Sequence, residues 1–87
     1  MSILEEVFPH SAKQFRIFKF LIENDKWITM YALSKEARIK VRREYLDRLA
    51  NLGILKKTEL GFYRLNSEHE FVKALRKFFA EVGYTKD

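Results

Sequence analysis

Two long amphipathic stretches near the ends of the chain constrain its fold more than any other feature of the sequence. Each follows a serine that stands three residues before a glutamine or glutamate, which is the spacing of a capping box at a helix start. The pairs are Ser11 with Gln14 and Ser67 with Glu70, and a third pair, Ser2 with Glu5, predicts only a short turn of helix before Pro9. We predict the two long helices over residues 12–24 and 68–83.

The elements between these two helices are shorter. Thr29 is a suitable N-cap for a second helix, and a further apolar pattern at helical spacing ends at Gly53, a residue favoured just past a helix end. Ile54 and Phe62 each begin a short alternating run, and the glycine between the runs predicts a β-hairpin. Residues 26–28 are a candidate for one more brief strand.

The predicted order is therefore α-α-α-β-β-α, mainly helical with a small β-hairpin, which is the plan of a winged helix-turn-helix domain. Three stretches of this order carry a family resemblance: residues 33–37, 46–55 and 62–66. In the second stretch, leucines spaced along a helix lead into a leucine-glycine-apolar step, and the third stretch is an aromatic-arginine-leucine strand. The chain resembles the small transcriptional regulators of the ArsR and MarR type over about residues 12–83. The resemblance implies one DNA-binding domain over residues 1–87.

The sequence departs from that family pattern in two places. The stretch from Lys35 to Gly53 is about two residues shorter than the family leads us to expect, and Arg38 stands where the turn between the two helices often has a glycine. The chain has no cysteine, which argues against a metal sensor with thiolate ligands of the ArsR kind.

The net charge of +5 is concentrated in one part of the chain. Residues 31–57 carry eight basic and three acidic side chains, whereas the basic and acidic side chains of residues 1–30 and 58–87 balance. A local excess of positive charge attracts polyanions such as DNA. The alternative interpretation of this charge is an ordinary solvated surface.

A helical projection of residues 40–52 divides them into an apolar and a charged side. The apolar side comprises Val41, Tyr45, Leu49 and Leu52, with Leu46 beside them. On the charged side Arg43 is the best candidate for a base contact, because a guanidinium grips guanine with two hydrogen bonds. Asp47 would repel phosphates unless it faces a base edge or pairs with arginine. The predicted DNA-binding residues are Lys40, Arg42, Arg43 and Asp47, with Lys56, Lys57 and Arg64 on the hairpin.

The last predicted helix carries an apolar stripe that one small core covers only in part, so we expect it to form a homodimer. The stripe consists of Phe71, Leu75, Phe78, Phe79 and Val82. On the hairpin, Phe62 and Tyr63 are expected to pack on opposite faces.

Other classes of function have less support in the sequence. His10 and His69 lack partners for a metal site or a general base, so we expect no enzyme, no metal and no cofactor. The apolar runs are too short for a membrane span and the first residues do not resemble a signal peptide, so we expect a soluble cytoplasmic protein. The main alternative to DNA binding is a winged-helix module that binds other proteins, and a single-stranded nucleic-acid binder is less favoured because the aromatic residues fall mainly at core spacing.

Overall fold

Five α-helices, one 3-10 turn and three short strands make up residues 2–85, which are the residues that the computed structural model describes. In chain order they are α1 (Ile3–Val7), the 3-10 turn (Pro9–Ser11), α2 (Ala12–Glu23), β1 (Ile28–Thr29), α3 (Met30–Ala37), α4 (Arg43–Asn51), β2 (Leu55–Lys57), β3 (Phe62–Leu65) and α5 (Glu70–Glu81). The prediction of a mainly helical chain with a small β component is confirmed.

The three strands form one antiparallel sheet in the order β1-β3-β2. The predicted hairpin is present as β2 and β3, with Leu55 opposite Leu65. The strand predicted over residues 26–28 forms slightly later as β1, where Ile28 lies opposite Tyr63. Tyr63 is buried and Phe62 is exposed, so the two aromatic residues lie on opposite faces as predicted.

Two of the three predicted capping boxes are wrong. Ser2 Oγ does accept a hydrogen bond from the Glu5 amide over 3.3 Å, but Ser11 makes no such bond because the 3-10 turn runs directly into α2. At α5 the cap is His69, whose Nδ1 accepts from the Phe71 amide over 3.1 Å, and Ser67 lies before it. The helix consequently begins at residue 70 and ends at residue 81, inside the predicted bounds.

The hydrophobic core joins all five helices to the inner face of the sheet. Its largest fully buried side chains are Leu21, Leu33, Leu46, Tyr63, Val72 and Phe79. Edge-to-face contacts between aromatic rings extend the core, with 4.9 Å between the centroids of Phe79 and Tyr84 and 6.0 Å between those of Phe15 and Phe79. These contacts hold α5 and the residues after it against α2.

The Glu5 carboxylate connects α1 to both α2 and the end of the described chain. It accepts hydrogen bonds from Arg16 Nη2 over 2.7 Å and from the Tyr84 hydroxyl over 3.0 Å. The bond from Arg16 is the main reason that the pKa of Glu5 lies below its usual value, and burial is the main reason that the pKa of Tyr84 lies above its own. The short α1 is thereby anchored although Leu4 is its one buried side chain.

Candidate nucleic-acid interface

The helices α3 and α4 are joined by a short connection whose ends are well defined. Thr29 Oγ1 accepts from the Ala32 amide over 3.1 Å and caps α3, as predicted. After α3, the Ile39 amide donates to the Ser34 carbonyl over 3.2 Å and the Val41 amide donates to Ser34 Oγ over 3.3 Å. Because the Ile39 and Val41 side chains are also buried, the connection is fixed from both its backbone and its side chains.

Arg38 ends α3 in the left-handed helical conformation, with φ 57° and ψ 39°. It is the one residue other than glycine in the described part of the chain that has a positive φ. A side chain with a Cβ atom is strained in this conformation, and glycine is the residue that normally adopts it. The structure therefore explains why a glycine is favoured at this turn and identifies Arg38 as a residue that is held there at some cost in stability.

We predict that Arg38→Gly raises the free energy of unfolding by up to about 1 kcal/mol, because relief of the left-handed strain exceeds the entropy that glycine adds to the unfolded chain. Urea denaturation followed by circular dichroism measures this difference. As a control, Arg48→Gly inside α4 should lower the free energy of unfolding by about 1 kcal/mol. If Arg38→Gly destabilises the protein as much as Arg48→Gly, the backbone at residue 38 is not strained.

The buried side of α4 agrees with the side that the sequence predicts except at Leu52. The helix begins at residue 43, so Lys40, Val41 and Arg42 lie in the extended connection before it. Leu46 and Leu49 are buried, whereas Leu52 is 58% exposed. The prediction that Leu52 faces the core is wrong. The buried side of α4 is centred on Leu46 and Leu49, and on the helical projection Leu52 lies outside this side, beyond the half-buried Tyr45.

The outward side of α4 is charged. Arg43, Glu44 and Arg48 are exposed, and neither arginine forms an ion pair within residues 2–85. Arg43 lies in the first turn, next to Arg42 and Lys40 in the preceding connection. The orientation predicted for Arg43, away from the core, is present in the structure.

Asp47 lies on α4 and its side chain contacts the hairpin. Its Oδ1 atom accepts from Lys57 Nζ over 2.8 Å and from the Tyr63 hydroxyl over 2.8 Å. The bonds from Lys57 and Tyr63 hold the pKa of the Asp47 carboxyl below its usual value. Asp47 and Lys57 were both predicted to face DNA, and the structure places them in contact with each other, so that they connect α4 to β2 and β3.

Arg64 is also engaged within the chain. Its Nε atom donates to Asp25 Oδ1 over 3.0 Å, which connects β3 to the loop after α2 and lowers the pKa of Asp25. Lys56 lies opposite Arg64 in the sheet register, is exposed and forms no ion pair within the described residues. Four of the residues predicted to contact DNA therefore have no acidic partner within residues 2–85. They are Lys40, Arg42, Arg43 and Lys56.

Most of the cations in the basic segment of residues 31–57 remain without an acidic partner in the described part of the chain. Of its three acidic side chains, Glu36 pairs with Lys26 outside the segment and Asp47 pairs with Lys57, which leaves Glu44 as the one unpaired carboxylate there among residues 2–85. Seven basic side chains of the segment form no ion pair within the same residues. They are Lys35, Arg38, Lys40, Arg42, Arg43, Arg48 and Lys56.

Three of these cations were not among the predicted contacts: Lys35, Arg38 and Arg48. Lys35 and Arg48 are helical residues whose exposure depends on which side of each helix is buried. Arg38 carried a signal in the sequence, since an arginine at a turn that favours glycine is unusual. The connection between Asp47 and Tyr63 spans 16 residues and has no local sequence signal.

The apolar stripe predicted on α5 divides between the core and the surface. Phe79 has no exposed surface and packs inside the single chain, so its assignment to a dimer interface is corrected to a core residue. Phe71 and Phe78 are about half exposed, and Leu75 and Val82 are partly buried. The reason is the helical period, because Val72 and Phe79 point to the core while residues 71 and 78 lie one position earlier in each turn.

Two other features are absent from the described residues. Residues 2–85 contain no group of three histidine, aspartate or glutamate side chains placed to hold a metal ion, and none of their helices is long and apolar enough to cross a membrane. Comparisons with family models, with curated proteins and with solved structures find no match for this chain.

Proposed function

We propose that this chain is a winged helix-turn-helix domain that binds double-stranded DNA in a sequence-dependent manner and regulates transcription. In this proposal α3 and α4 are the helix-turn-helix, α4 is the recognition helix, and β2 and β3 are the wing. The observation that carries the proposal is the set of unpaired cations on α4, on the connection before it and on β2. Outside residues 31–57, the rest of the described chain holds four unpaired cations against five unpaired carboxylates, so the net free positive charge is concentrated in that segment.

The positions of the cations suggest different roles in binding. Arg43 is exposed in the first turn of α4, where a recognition helix presents side chains to base edges in the major groove. Lys40 and Arg42 precede the helix and suit contacts to the phosphates beside it. Lys56 on β2 suits a phosphate on the far side of the groove.

Asp47 then has a structural role rather than a direct one. Its two hydrogen bonds, from Lys57 and Tyr63, fix the angle between the recognition helix and the wing. A fixed angle lowers the cost of ordering both elements on DNA, because less conformational entropy is lost on binding. Neutralisation of the Asp47 charge by Lys57 also removes a repulsion that would otherwise act against phosphates.

Duplex binding measured by fluorescence anisotropy tests the proposal directly. We predict that Arg43→Ala weakens binding to a duplex selected from a random pool by about 1–3 kcal/mol and weakens binding to unselected duplexes much less, because a lost base contact removes discrimination. Lys77→Ala on α5 is the matched control for loss of one positive charge, and it should leave the difference between selected and unselected duplexes unchanged. Equal losses on both kinds of duplex would mean that Arg43 contacts only phosphates.

A winged-helix module that binds another protein is the second candidate function. The observation in its favour is that Tyr31 on α3, Leu52 after α4 and Leu60 at the tip of the hairpin are apolar and strongly exposed close to the basic segment. Exposed apolar side chains are typical of protein contacts. Absence of measurable duplex affinity at about 50 mM salt, where phosphate contacts are strong, would favour this second function.

We also propose a homodimer formed through the exposed side of α5, where Phe71 and Phe78 are seven residues apart and lie on one face. Phe78→Asp should convert a dimer to a monomer in sedimentation equilibrium at micromolar concentration, because a buried unpaired carboxylate is costly in an apolar interface. Lys77→Asp, on the neighbouring side of the same helix, is the control and should remain dimeric. A wild-type chain that stays monomeric would refute the dimer.

A further inference from the structure

A cavity of about 300 Å³ lies between the first turns of α2 and the connection that leads into α4. Its lining combines three cations with an apolar wall and one amide side chain. The residues are Lys13, Gln14 and Ile17 from α2, Lys40, Val41 and Arg42 from the connection, and Tyr45 from α4. The volume is at the lower end of the range for sites that bind small molecules.

The charge of this cavity favours an anion. Lys13, Lys40 and Arg42 are exposed and form no ion pair within residues 2–85, and no carboxylate of those residues lines the cavity. Three cations without an acidic partner in the described residues therefore act on the same small volume.

The other side of the cavity suits a less polar group. Ile17 and Val41 are buried and form an apolar wall beside the cations. Tyr45 is partly buried, and burial alone raises the pKa of its hydroxyl, which therefore stays neutral and is able to donate a hydrogen bond. A bare inorganic anion would leave this wall uncovered, whereas an anion attached to a small organic body would cover it.

We propose that this cavity binds a sugar phosphate, with the phosphate between Lys13, Lys40 and Arg42 and the sugar against Ile17, Val41 and Tyr45. Two sources have this chemistry: a nucleotide of the bound duplex backbone, and a free sugar phosphate that competes with DNA for Lys40 and Arg42. The duplex source rests on the function proposed above and the free source does not. In either case Lys13 on α2 is a binding residue outside the helix-turn-helix.

The test compares Lys13→Gln with Lys77→Gln. The second substitution is the control, because it also removes one positive charge but lies on α5, which does not line the cavity. The first arm is an NMR titration of each protein with 2-deoxyribose 5-phosphate at constant ionic strength, following the amides of Ile17, Val41 and Tyr45. The second arm is duplex binding by fluorescence anisotropy at 0.1 M salt. Loss of one phosphate contact weakens duplex binding about eightfold at that salt concentration.

The two measurements distinguish a free ligand from the DNA backbone as the source of the sugar phosphate. Saturable shifts that Lys13→Gln abolishes and Lys77→Gln preserves support a free ligand. A duplex affinity about eightfold lower for Lys13→Gln than for Lys77→Gln supports the DNA backbone as the source. If neither arm distinguishes the two variants, the cavity is not a sugar-phosphate site. If the wild-type protein binds no duplex, the proposed function fails while the titration still decides whether the cavity binds a free ligand.

Discussion

Leu49→Ala is expected to lower the free energy of unfolding by about 2–5 kcal/mol, because it removes a buried side chain and leaves a cavity that the surrounding core fills only in part. Leu49 is 5% exposed on the inner side of α4, where it packs with Leu46 in the main core. For a small domain whose total stability is about 5–15 kcal/mol, such a loss is a large fraction of the whole.

Leu52→Ala is the matched control for this prediction. The residue type is the same and the position is three residues later, but Leu52 is 58% exposed, so its truncation should change the free energy of unfolding by less than about 0.5 kcal/mol. Urea denaturation of both variants, with a common slope, measures the difference. Similar losses for the two variants would mean that α4 packs on a different side, and the orientation of Arg43 would then be wrong as well.

The double substitution of Lys40 and Arg42 by alanine is expected to weaken duplex binding about sixtyfold at 0.1 M salt if each residue neutralises one phosphate. The dependence of log K on log salt concentration should flatten by about 1.8 for each bound chain, because two fewer counterion-release contacts are made. The loss should be similar for selected and unselected duplexes, since phosphate contacts position the protein without reading sequence.

Anisotropy titrations at several salt concentrations measure both effects. The matched control replaces Lys73 and Lys77 on α5 by alanine, which removes the same net charge from a helix outside the proposed interface. An unchanged salt dependence in the Lys40 and Arg42 variant would show that these residues contact no phosphates. An equal change in the control would show that positive charge acts on DNA only through the net charge of the protein.

Several parts of the fold follow from local patterns in the sequence. The helical spacing of apolar residues predicts α2 and α5, the glycine between two alternating runs predicts the hairpin, and Thr29 predicts the start of α3. These features are local because a helix or a tight turn depends on residues within a few positions of each other. The concentration of positive charge in residues 31–57 is likewise visible in the sequence alone.

Capping and burial were harder to predict because they depend on competing neighbours. Ser11 has the spacing of a capping residue, but the 3-10 turn before it continues into α2 and removes the need for a cap. His69 caps α5 in place of Ser67. Residues 78 and 79 are both phenylalanine, so the residue type does not say which of them is buried. The packing of α5 against α2 buries Phe79 and leaves Phe78 exposed.

By itself, the sequence determined that this chain is mainly helical, that a small hairpin interrupts the helices and that net positive charge is concentrated in residues 31–57. The tertiary structure alone decided which of those charges remain unpaired, because Asp47 meets Lys57 and Tyr63, and Asp25 meets Arg64, across 10 to 39 residues of chain. It also brought Lys13 to Lys40 and Arg42 around one cavity. Such contacts depend on how whole elements pack, and no local sequence pattern encodes the distance between side chains on separate elements.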